Sequence, residues 1–234
     1  MNREQFIIEV EKLGIGIDDS KLLKLEKFYN LLIEWNNKIN LTTIVEKEDV
    51  YLKHFYDSLT LFKEVDLRSD LSLCDVGSGA GFPGIVLKIF FPNLKMTLVD
   101  SLNKRVIYLN EIIKELELEN IFAVHFRMED FSRIHQEEFD IITARAVSNL
   151  SILTEISVRA LKIGGKLVFM KANCDEELEN INSIYNKLGL SLTSVNRFVL
   201  PIEESNRTLV CIEKIKATDK KYPRTIDKIK RNPL

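Results

Sequence analysis

The sequence predicts a doubly wound α/β fold: a mostly parallel sheet with an antiparallel hairpin at one edge and a helical segment in front. From residue 72 onward, short apolar runs alternate with helical patterns, which is typical of a parallel sheet covered by helices on both faces. A glycine-rich turn follows the first of these runs. Two strand-like runs separated by six residues close the pattern, and this short separation favours a hairpin.

The elements can be placed in order along the chain. Asp18-Asp19-Ser20 predicts a helix N-terminus, because such side chains cap free amides, and apolar residues then recur at the helical period up to Trp35. A second amphipathic helix is predicted over residues 46–65. Predicted strands cover residues 72–76, 95–100, 122–127, 139–143, 166–171, 192–200 and 207–213. Predicted helices between them cover residues 85–91, 103–118, 151–161 and 175–188. We therefore divide the chain into a helical extension that packs on the core (1–66), an α/β domain (67–214) and a tail (215–234).

Composition excludes several classes of protein. The chain has 234 residues, 45% of them hydrophobic and 29% charged, which fits one folded domain with an elaboration and excludes a disordered chain. No apolar run approaches the ~20 residues that span a bilayer, and the first residues lack an apolar signal core. Three widely separated cysteines exclude a disulfide scaffold and a cysteine zinc site, and no other metal-ligand spacing occurs. We expect a cytoplasmic monomer without a metal.

Charge is unevenly distributed. From Lys214 to the end, eight Lys and Arg face two Asp, a net charge of +6, so residues 1–213 carry −8 of the total of −2. A basic tail on an acidic body indicates either an arm that contacts nucleic acid or a solvated end of the chain. We expect this tail to be poorly ordered alone and to contact RNA phosphates. The cations that would do so are Lys216, Lys220, Lys221, Arg224, Lys228, Lys230 and Arg231.

The most informative stretch is the glycine-rich turn after the first predicted strand. Gly77, Gly79 and Gly81 form a G-x-G-x-G pattern preceded by Asp75, and Phe82 follows. The dinucleotide fingerprint needs glycine where Phe82 stands, so a nicotinamide-dependent oxidoreductase is excluded. The pattern is that of S-adenosylmethionine-dependent methyltransferases.

Residues at the ends of the next strands agree with a nucleoside site. Asp100 ends the second predicted strand, where an acid accepts hydrogen bonds from ribose hydroxyls. Met128 and Glu129 follow the third strand, where an acid can meet an adenine edge. Arg145 follows the fourth strand and should lie opposite the glycine turn across the switch point of the sheet.

Together these stretches resemble a known family. The sequences DVGSGAGFPG, LVDSLNKRVIYL and ITARAVSNL, with WNNKINLT and KHFYDSL upstream and KKYPR in the tail, are similar to the glucose-inhibited division protein B family. Two positions depart from the family pattern: Ala172 follows Lys171 where glycine is usual, and Thr225 follows Tyr-Pro-Arg. The resemblance implies a Rossmann-like sheet, S-adenosylmethionine as cofactor, and methylation of guanine N7 in 16S ribosomal RNA of the small ribosomal subunit.

The residues themselves restrict which kind of atom can accept the methyl group. The Asn/Asp-Pro-Pro-aromatic motif of exocyclic amine methyltransferases is missing after the fourth strand, and no cysteine stands where a pyrimidine-carbon methyltransferase needs one. A ring nitrogen such as guanine N7 has an in-plane lone pair and no proton to lose, so it needs no general base. The sequence offers no obvious base.

Candidate site residues follow from the resemblance and from charge. The resemblance suggests that Asn40, His54, Asp57 and Ser58 line the substrate side of the pocket, although Asp57 could equally fix local structure. Lys171, at the C-terminal end of the fifth sheet strand, is a further substrate-positioning candidate. The candidates for RNA contact are Lys104, Arg105, Arg197, Arg207, Lys221 and Arg224. Three functions stay open: a ribosomal RNA methyltransferase, a methyltransferase of a small metabolite, and a non-catalytic factor that keeps the cofactor pocket.

Overall fold

The computed structural model describes residues 1–179 and 181–234, and within them seven strands form one sheet. The strand order is β3-β2-β1-β4-β5-β7-β6, with parallel pairing from β3 to β5 and antiparallel pairing of β7 with β5 and with β6. The strands are β1 (Ser72–Val76), β2 (Lys95–Asp100), β3 (Ile121–His125), β4 (Phe139–Arg145), β5 (Leu161–Lys171), β6 (Leu190–Val199) and β7 (Asn206–Lys214). The predicted doubly wound sheet with an antiparallel edge hairpin is confirmed. Because the strand order reverses between β1 and β4, their carboxyl ends open a crevice there.

Helices cover both faces of the sheet. The helices that precede or alternate with the strands are α1 (Arg3–Lys12), α2 (Asp19–Ile39), α5 (Gly84–Phe90), α6 (Asn103–Glu115), α7 (Met128–Ile134), α8 (Leu150–Ser157), α9 (Asp175–Leu178) and α10 (Ile181–Leu188). Helix α11 (Ile226–Arg231) lies in the tail. Among the described residues, none of these helices is long and apolar enough to cross a membrane.

The N-terminal helices pack on the sheet because each has a capped start and one apolar face. The Asp18 carboxylate accepts the amide of Lys21 at 2.8 Å and so begins α2 where the sequence predicts it. The apolar face of α2 is fully covered at Leu25, Phe28 and Leu32, which belong to the same hydrophobic core as the sheet helices α5 and α6. The first seventy residues are thereby fixed against the α/β core.

A composite helix follows, which we call the helical segment (residues 47–63). It runs through α3 (Lys47–Val50), a π-helix (Tyr51–Tyr56), α4 (Asp57–Leu59) and a 3₁₀ turn (Thr60–Lys63). The amide of Asp57 bonds to the carbonyl of Leu52, five residues back, which is the π-helical spacing. The sequence predicts a plain helix here. The wider turn lies where the helical segment meets the C-terminal edge of the sheet, and π-turns are frequent at functional sites.

Other predictions fail at particular elements. Helix α1 lies in the predicted helical extension, but α7 and α11 are not predicted. Strand β5 begins at Leu161, earlier than predicted, because Gly164 and Gly165 lie inside the strand. The predicted helix over residues 175–188 is found as α9 and α10, since Glu179 has an extended backbone (ψ 127°) that ends α9. Residue 180 lies outside the described residues. The division at residues 66 and 214 stays a prediction.

The tail is not poorly ordered, and this corrects the sequence-based expectation. The side chains of Tyr222 and Ile229 are buried against the core. Arg224 binds the fully buried carboxylate of Glu155 through both ends of its guanidinium, Nε to Oε1 at 2.8 Å and Nη2 to Oε2 at 2.7 Å. We call this pair the tail latch. Arg224 is therefore not a free cation for RNA, because its charge neutralises Glu155.

We predict that breaking the tail latch destabilises the whole domain. Replacing Arg224 by Ala leaves the Glu155 carboxylate buried without its cation, which typically costs about 3–5 kcal/mol. Urea denaturation followed by circular dichroism should show this loss as a lower midpoint with an unchanged slope. As a control, Lys230→Ala removes an exposed cation of α11 and should change stability by less than about 0.5 kcal/mol. Equal midpoints for Arg224→Ala and the control would contradict the latch.

Candidate active site

A cavity of about 540 Å³ opens at the carboxyl ends of the central strands β1 and β4, where the strand order reverses. We call it the main cavity. Its wall is formed by the helical segment, by the glycine loop (residues 77–84) and by residues that end or follow β4 and β5. A smaller cavity of about 130 Å³, the small cavity, lies on the other side of the glycine loop and also touches Gly77. The two cavities therefore flank the loop that the sequence singled out.

The glycines are required by the shape of the loop. Gly77, Gly79 and Gly81 have φ angles of 68°, 55° and 92°, in the region that disfavours other residues. A Cβ at Gly77 would lie 2.7 Å from Cγ2 of Val147, which comes from the turn after β4. The loop backbone and the β4 turn thus approach each other at a distance that no side chain on Gly77 allows.

Two buried carboxylates hold the loop in this shape. Oδ2 of Asp75 accepts the amide of Gly84 at 3.0 Å, and Oδ2 of Asp100 accepts the amide of Gly79 at 2.9 Å. Asp75 is fully buried, and burial raises the pKa of its carboxyl to about 7. Its other oxygen, Oδ1, has no hydrogen-bond partner among the described residues. The loop is therefore fixed by side chains of β1 and β2.

On the opposite wall, Asp57 lies between two arginines. Its Oδ2 is 3.1 Å from Nη1 of Arg145 and its Oδ1 is 3.0 Å from Nε of Arg207. Nη1 of Arg145 also donates to the carbonyl of Lys53 at 2.8 Å. Asp57 is only 3% exposed, so each guanidinium neutralises a charge that water hardly reaches. These bonds join the helical segment to β4 and to β7.

His54 is held as a neutral imidazole. Its Nδ1 lies 3.0 Å from Nη2 of Arg145, which can only donate, so Nδ1 accepts and the proton belongs on Nε2. Nε2 then donates to Oγ1 of Thr42 at 3.0 Å. Burial, and next the charge of Arg145, lower the pKa of His54 to about 3. The ring stacks on Phe82 with centroids 4.4 Å apart. Both nitrogens already have partners.

The structure brings only part of the predicted substrate set to the main cavity. His54, Asp57 and Lys171 line it, and Nζ of Lys171 bonds to the carbonyl of Ser148 at 2.9 Å and to Glu177 at 2.8 Å. Asn40 does not line it: it is the exposed, left-handed C-cap of α2 (φ 49°). Ser58 is fully buried and donates to the carbonyl of His54 at 2.6 Å, one turn back on its own helix.

The predicted cofactor and RNA residues fall at several places. Gly77, Gly79, Phe82 and Arg145 line the main cavity, whereas Met128 and Glu129 line the small one. Gly81 packs against the side chains of Ile85 and Phe28, which a Cβ at this position would contact. Arg105 points back to Asp100 at 3.5 Å, and Lys104 is exposed at the start of α6. Arg207 lines the main cavity, while two outer cations pair with neighbouring carboxylates, Arg197 with Asp175 and Lys221 with Asp219.

Sequence reasoning missed three residues of the site. Thr42 accepts the Nε2 proton of His54, Val147 covers Gly77, and Asn173 lines the main cavity. Thr42 is itself placed by Asn36, whose Oδ1 accepts its amide at 2.9 Å. These two residues lie in the stretch WNNKINLT, which the resemblance pointed to. The described residues hold no group of three or more His, Cys, Asp or Glu that could bind a metal.

We predict that His54 does not titrate in the folded protein at physiological pH. The pKa of His54 falls on folding from 6.5 to about 3, so the native state binds fewer protons than the unfolded state between these values. Its contribution to stability is therefore present above pH 6.5 and declines as the pH falls below it. The ¹³Cε1 shift of His54 should stay constant from pH 8 to pH 5 in the folded protein. In urea the same signal should titrate near its ordinary value. A midpoint between pH 5 and 8 in the folded protein would refute the assignment.

Comparison with known proteins identifies the family. The family model GidB, described as rRNA small subunit methyltransferase G, matches residues 21–209. A protein of Lysinibacillus sphaericus (strain C3-41) named ribosomal RNA small subunit methyltransferase G is 46% identical over 227 residues, which is 96% of this chain and 95% of the relative. A protein of the same name from Bacillus licheniformis is 46% identical over 237 positions, covering 100% of this chain and 99% of the relative.

Solved structures agree on the fold. An S-adenosylmethionine-dependent methyltransferase from Aquifex aeolicus superposes with a TM-score of 0.53 at 20% sequence identity, covering 72% of this chain and 94% of that chain. This likeness shows a shared Rossmann-like sheet. The match of the family model over residues 21–209 and the identity along nearly the whole length confirm the resemblance: the chain belongs to the GidB family of rRNA small subunit methyltransferase G.

Proposed function

We propose that this protein transfers a methyl group from S-adenosylmethionine to N7 of a guanine in 16S ribosomal RNA, and that it acts on this RNA or on the small ribosomal subunit in the cytoplasm. One observation carries the proposal. The main cavity lies beside the glycine loop at the switch point of the sheet, and its titratable groups are already engaged with one another. A pocket of this kind can position an acceptor but has no free base to deprotonate it.

The residues around the glycine loop fit the cofactor. At Gly79 the nearest atoms to a Cβ position are the Gly77 carbonyl oxygen at 3.7 Å and Nη1 of Arg105 at 3.9 Å, so the loop backbone leaves room there for a ligand to approach closely. Asp100 lies at the end of β2, where ribose hydroxyls are bound in such sheets, and its buried carboxylate also holds the amides of Gly79 and Leu102. Val99, Met128 and Ile156 give the small cavity apolar walls, and Glu129 adds a carboxylate, which suits adenine. When bound, S-adenosylmethionine supplies an electrophilic methyl group.

We assign the cofactor to a defined set of residues. The adenine base of S-adenosylmethionine is assigned to the small cavity, and its methyl-bearing end to the wall of the main cavity. The glycine loop supports the part of the cofactor that lies against the loop backbone. Arg145 borders that wall, although its guanidinium already binds the helical segment. The assigned residues are Gly77, Gly79, Gly81, Phe82, Asp100, Met128, Glu129 and Arg145.

The acceptor side favours a nucleophile that loses no proton. His54 is neutral with both nitrogens bonded, and the Asp57 carboxylate is bonded by two guanidinium groups. Guanine N7 carries an in-plane lone pair and keeps no proton to remove. Neighbouring donors in the wall, Arg207 and Lys171, can bond the adjacent O6 and so separate guanine from adenine, which has an amino group there. The chain's contribution is therefore positioning.

The proposal predicts that a glycine-loop variant loses both cofactor binding and the RNA product. In Gly79→Arg, a long side chain projects from the loop beside Arg105, so calorimetry should detect no S-adenosylmethionine binding. Mass spectrometry of ribosomal RNA nucleosides should show 7-methylguanosine reduced in cells without the protein. The level should be restored by the unchanged gene and not by Gly79→Arg.

Gly164→Arg is the matched control for this experiment. Gly164 has a similarly positive φ of 82°, but open space surrounds it in β5, far from the two cavities. This variant should bind the cofactor and restore 7-methylguanosine. A nucleoside profile that does not change on removing the protein would overturn the proposed function, and unchanged cofactor affinity in a folded Gly79→Arg protein would overturn the cofactor site.

For the tail, we propose that its exposed cations contact RNA phosphates while the tail latch holds the segment in place. Truncation after Lys214 would remove Arg224 and Tyr222 and expose an unpaired Glu155, so point substitutions are the proper test.

Replacing Lys220, Lys228 and Lys230 by Gln should lower the slope of log affinity against log salt by about 1 for each phosphate that the tail no longer binds. Cofactor affinity should not change. Lys114→Gln, an exposed change in α6, serves as the control. A full salt slope in the triple variant would show that the tail does not bind RNA.

A further inference from the structure

Two helices contribute residues to the small cavity. Met128 and Glu129 come from the first turn of α7, and Ile156 comes from α8. All three residues are at most 6% exposed, so the packing of the helices decides where these side chains lie. The form of the small cavity therefore depends on the placement of α7 and α8.

Glu129 gives this cavity its carboxylate. Among the described residues no donor bonds to that carboxylate, although Glu129 is only 5% exposed. A buried polar group without a hydrogen-bond partner is costly, and the 6-amino group of adenine is a donor that suits a carboxylate. The strength with which adenine is bound thus depends on where α7 holds Glu129.

The tail crosses both helices at residues 220–224, which we call the tail strap. Nη2 of Arg133, a residue of α7, donates to the carbonyl of Pro223 at 2.8 Å. The next residue of the strap is Arg224, which binds Glu155 of α8 in the tail latch, and its amide donates to Oε1 of the same carboxylate at 2.9 Å. Two adjacent residues of the strap therefore bind two different helices.

The tail strap is itself attached firmly to the domain. The side chain of Tyr222 is buried in the same hydrophobic core as Met128 and Ile156. Nη1 of Arg159, which follows α8, donates to the carbonyls of Lys220 at 3.0 Å and Tyr222 at 3.1 Å. The strap is thus a fixed brace across the two helices.

The helix residues that bind the tail strap stand next to those that line the small cavity. Arg133 follows Glu129 by four residues, which is about one turn along the same face of α7. Glu155 directly precedes Ile156 on α8. Neither Arg133 nor Glu155 lines the small cavity, and no residue of the strap does, so the strap acts on the cavity only through the two helices.

We infer that the tail strap positions the adenine-binding residues of the small cavity, and that Arg133 is a positioning residue for the cofactor although it does not line the cofactor's cavity. The inference rests on the proposed function, since it takes the adenine base of S-adenosylmethionine in the small cavity as its starting point. The tail has in this way a second role beside its contact with RNA. It holds the carboxylate of Glu129 where the 6-amino group of adenine meets it.

Two ligands that differ in one group of the base test the inference. S-inosylhomocysteine carries an oxygen where S-adenosylhomocysteine carries the 6-amino group of adenine. Calorimetry on the full-length protein should show S-adenosylhomocysteine bound about tenfold more tightly or better, because the other ligand lacks a hydrogen bond to a charged group. This ratio of affinities reports the position of Glu129, whereas a general loss of stability lowers both affinities together.

Arg133→Met removes the bond to Pro223 but keeps a long apolar stem, and Arg133 is 38% exposed, so the core stays intact. The ratio of affinities should fall by about fivefold, the typical effect of one hydrogen bond. Arg133→Lys keeps a donor near the carbonyl and should retain most of the ratio. Lys228→Met is the control for charge, because Lys228 is an exposed cation of α11 that binds neither α7 nor α8, and it should leave the ratio unchanged.

Two results would overturn the inference and leave the proposed function standing. An unchanged ratio in Arg133→Met, even with both affinities lowered, would show that the tail strap does not position Glu129. An equal fall of the ratio in Lys228→Met would assign the effect to net charge. Equal binding of the two ligands by the unchanged protein would instead remove adenine from the small cavity, and the cofactor assignment would then fail together with the inference.

Discussion

The carboxylate of Asp57 is the charge on which the arrangement of the site depends. It is buried, and a buried carboxylate is tolerated only when cations and hydrogen bonds replace water. Arg145 comes from the parallel half of the sheet and Arg207 from the antiparallel half, while Asp57 itself lies in the helical segment. Three parts of the chain must therefore be in place together before the carboxylate has both of its cationic partners. The main cavity is the space that remains between them.

The same requirement explains the state of His54. While Nη1 of Arg145 donates to Asp57, its Nη2 lies 3.0 Å from Nδ1 of the imidazole. The arginine thus sets the tautomer of His54 and opposes its protonation, while Thr42 takes the remaining proton. His54 is in this way a neutral part of the pocket wall, stacked on Phe82.

Much of the fold could be predicted from local patterns. Strands β1 and β2 have the predicted bounds, because apolar runs there are closed by the glycine loop and by Asp100. The glycine loop itself is a local motif. The π-turn before Asp57 was not predictable, since its cause is the contact of that segment with β4 and β7 and not its own periodicity. Arg224 shows the same limit. The basic composition of the tail suggests a free cation, but the partner of Arg224 is Glu155, which stands 69 residues earlier in the sequence.

That distance has a consequence for how the chain is made. The ribosome delivers residues in order, and domains form as their segments emerge. Glu155 therefore leaves the ribosome long before the arginine that neutralises it, and its helix α8 cannot settle fully on the sheet with a bare carboxylate in the core. The tail latch can form only when residue 224 has left the ribosome. A chain that stops before Arg224 would leave the Glu155 carboxylate in the core without its cation, and a loss of stability of that size can lower the amount of a protein in the cell.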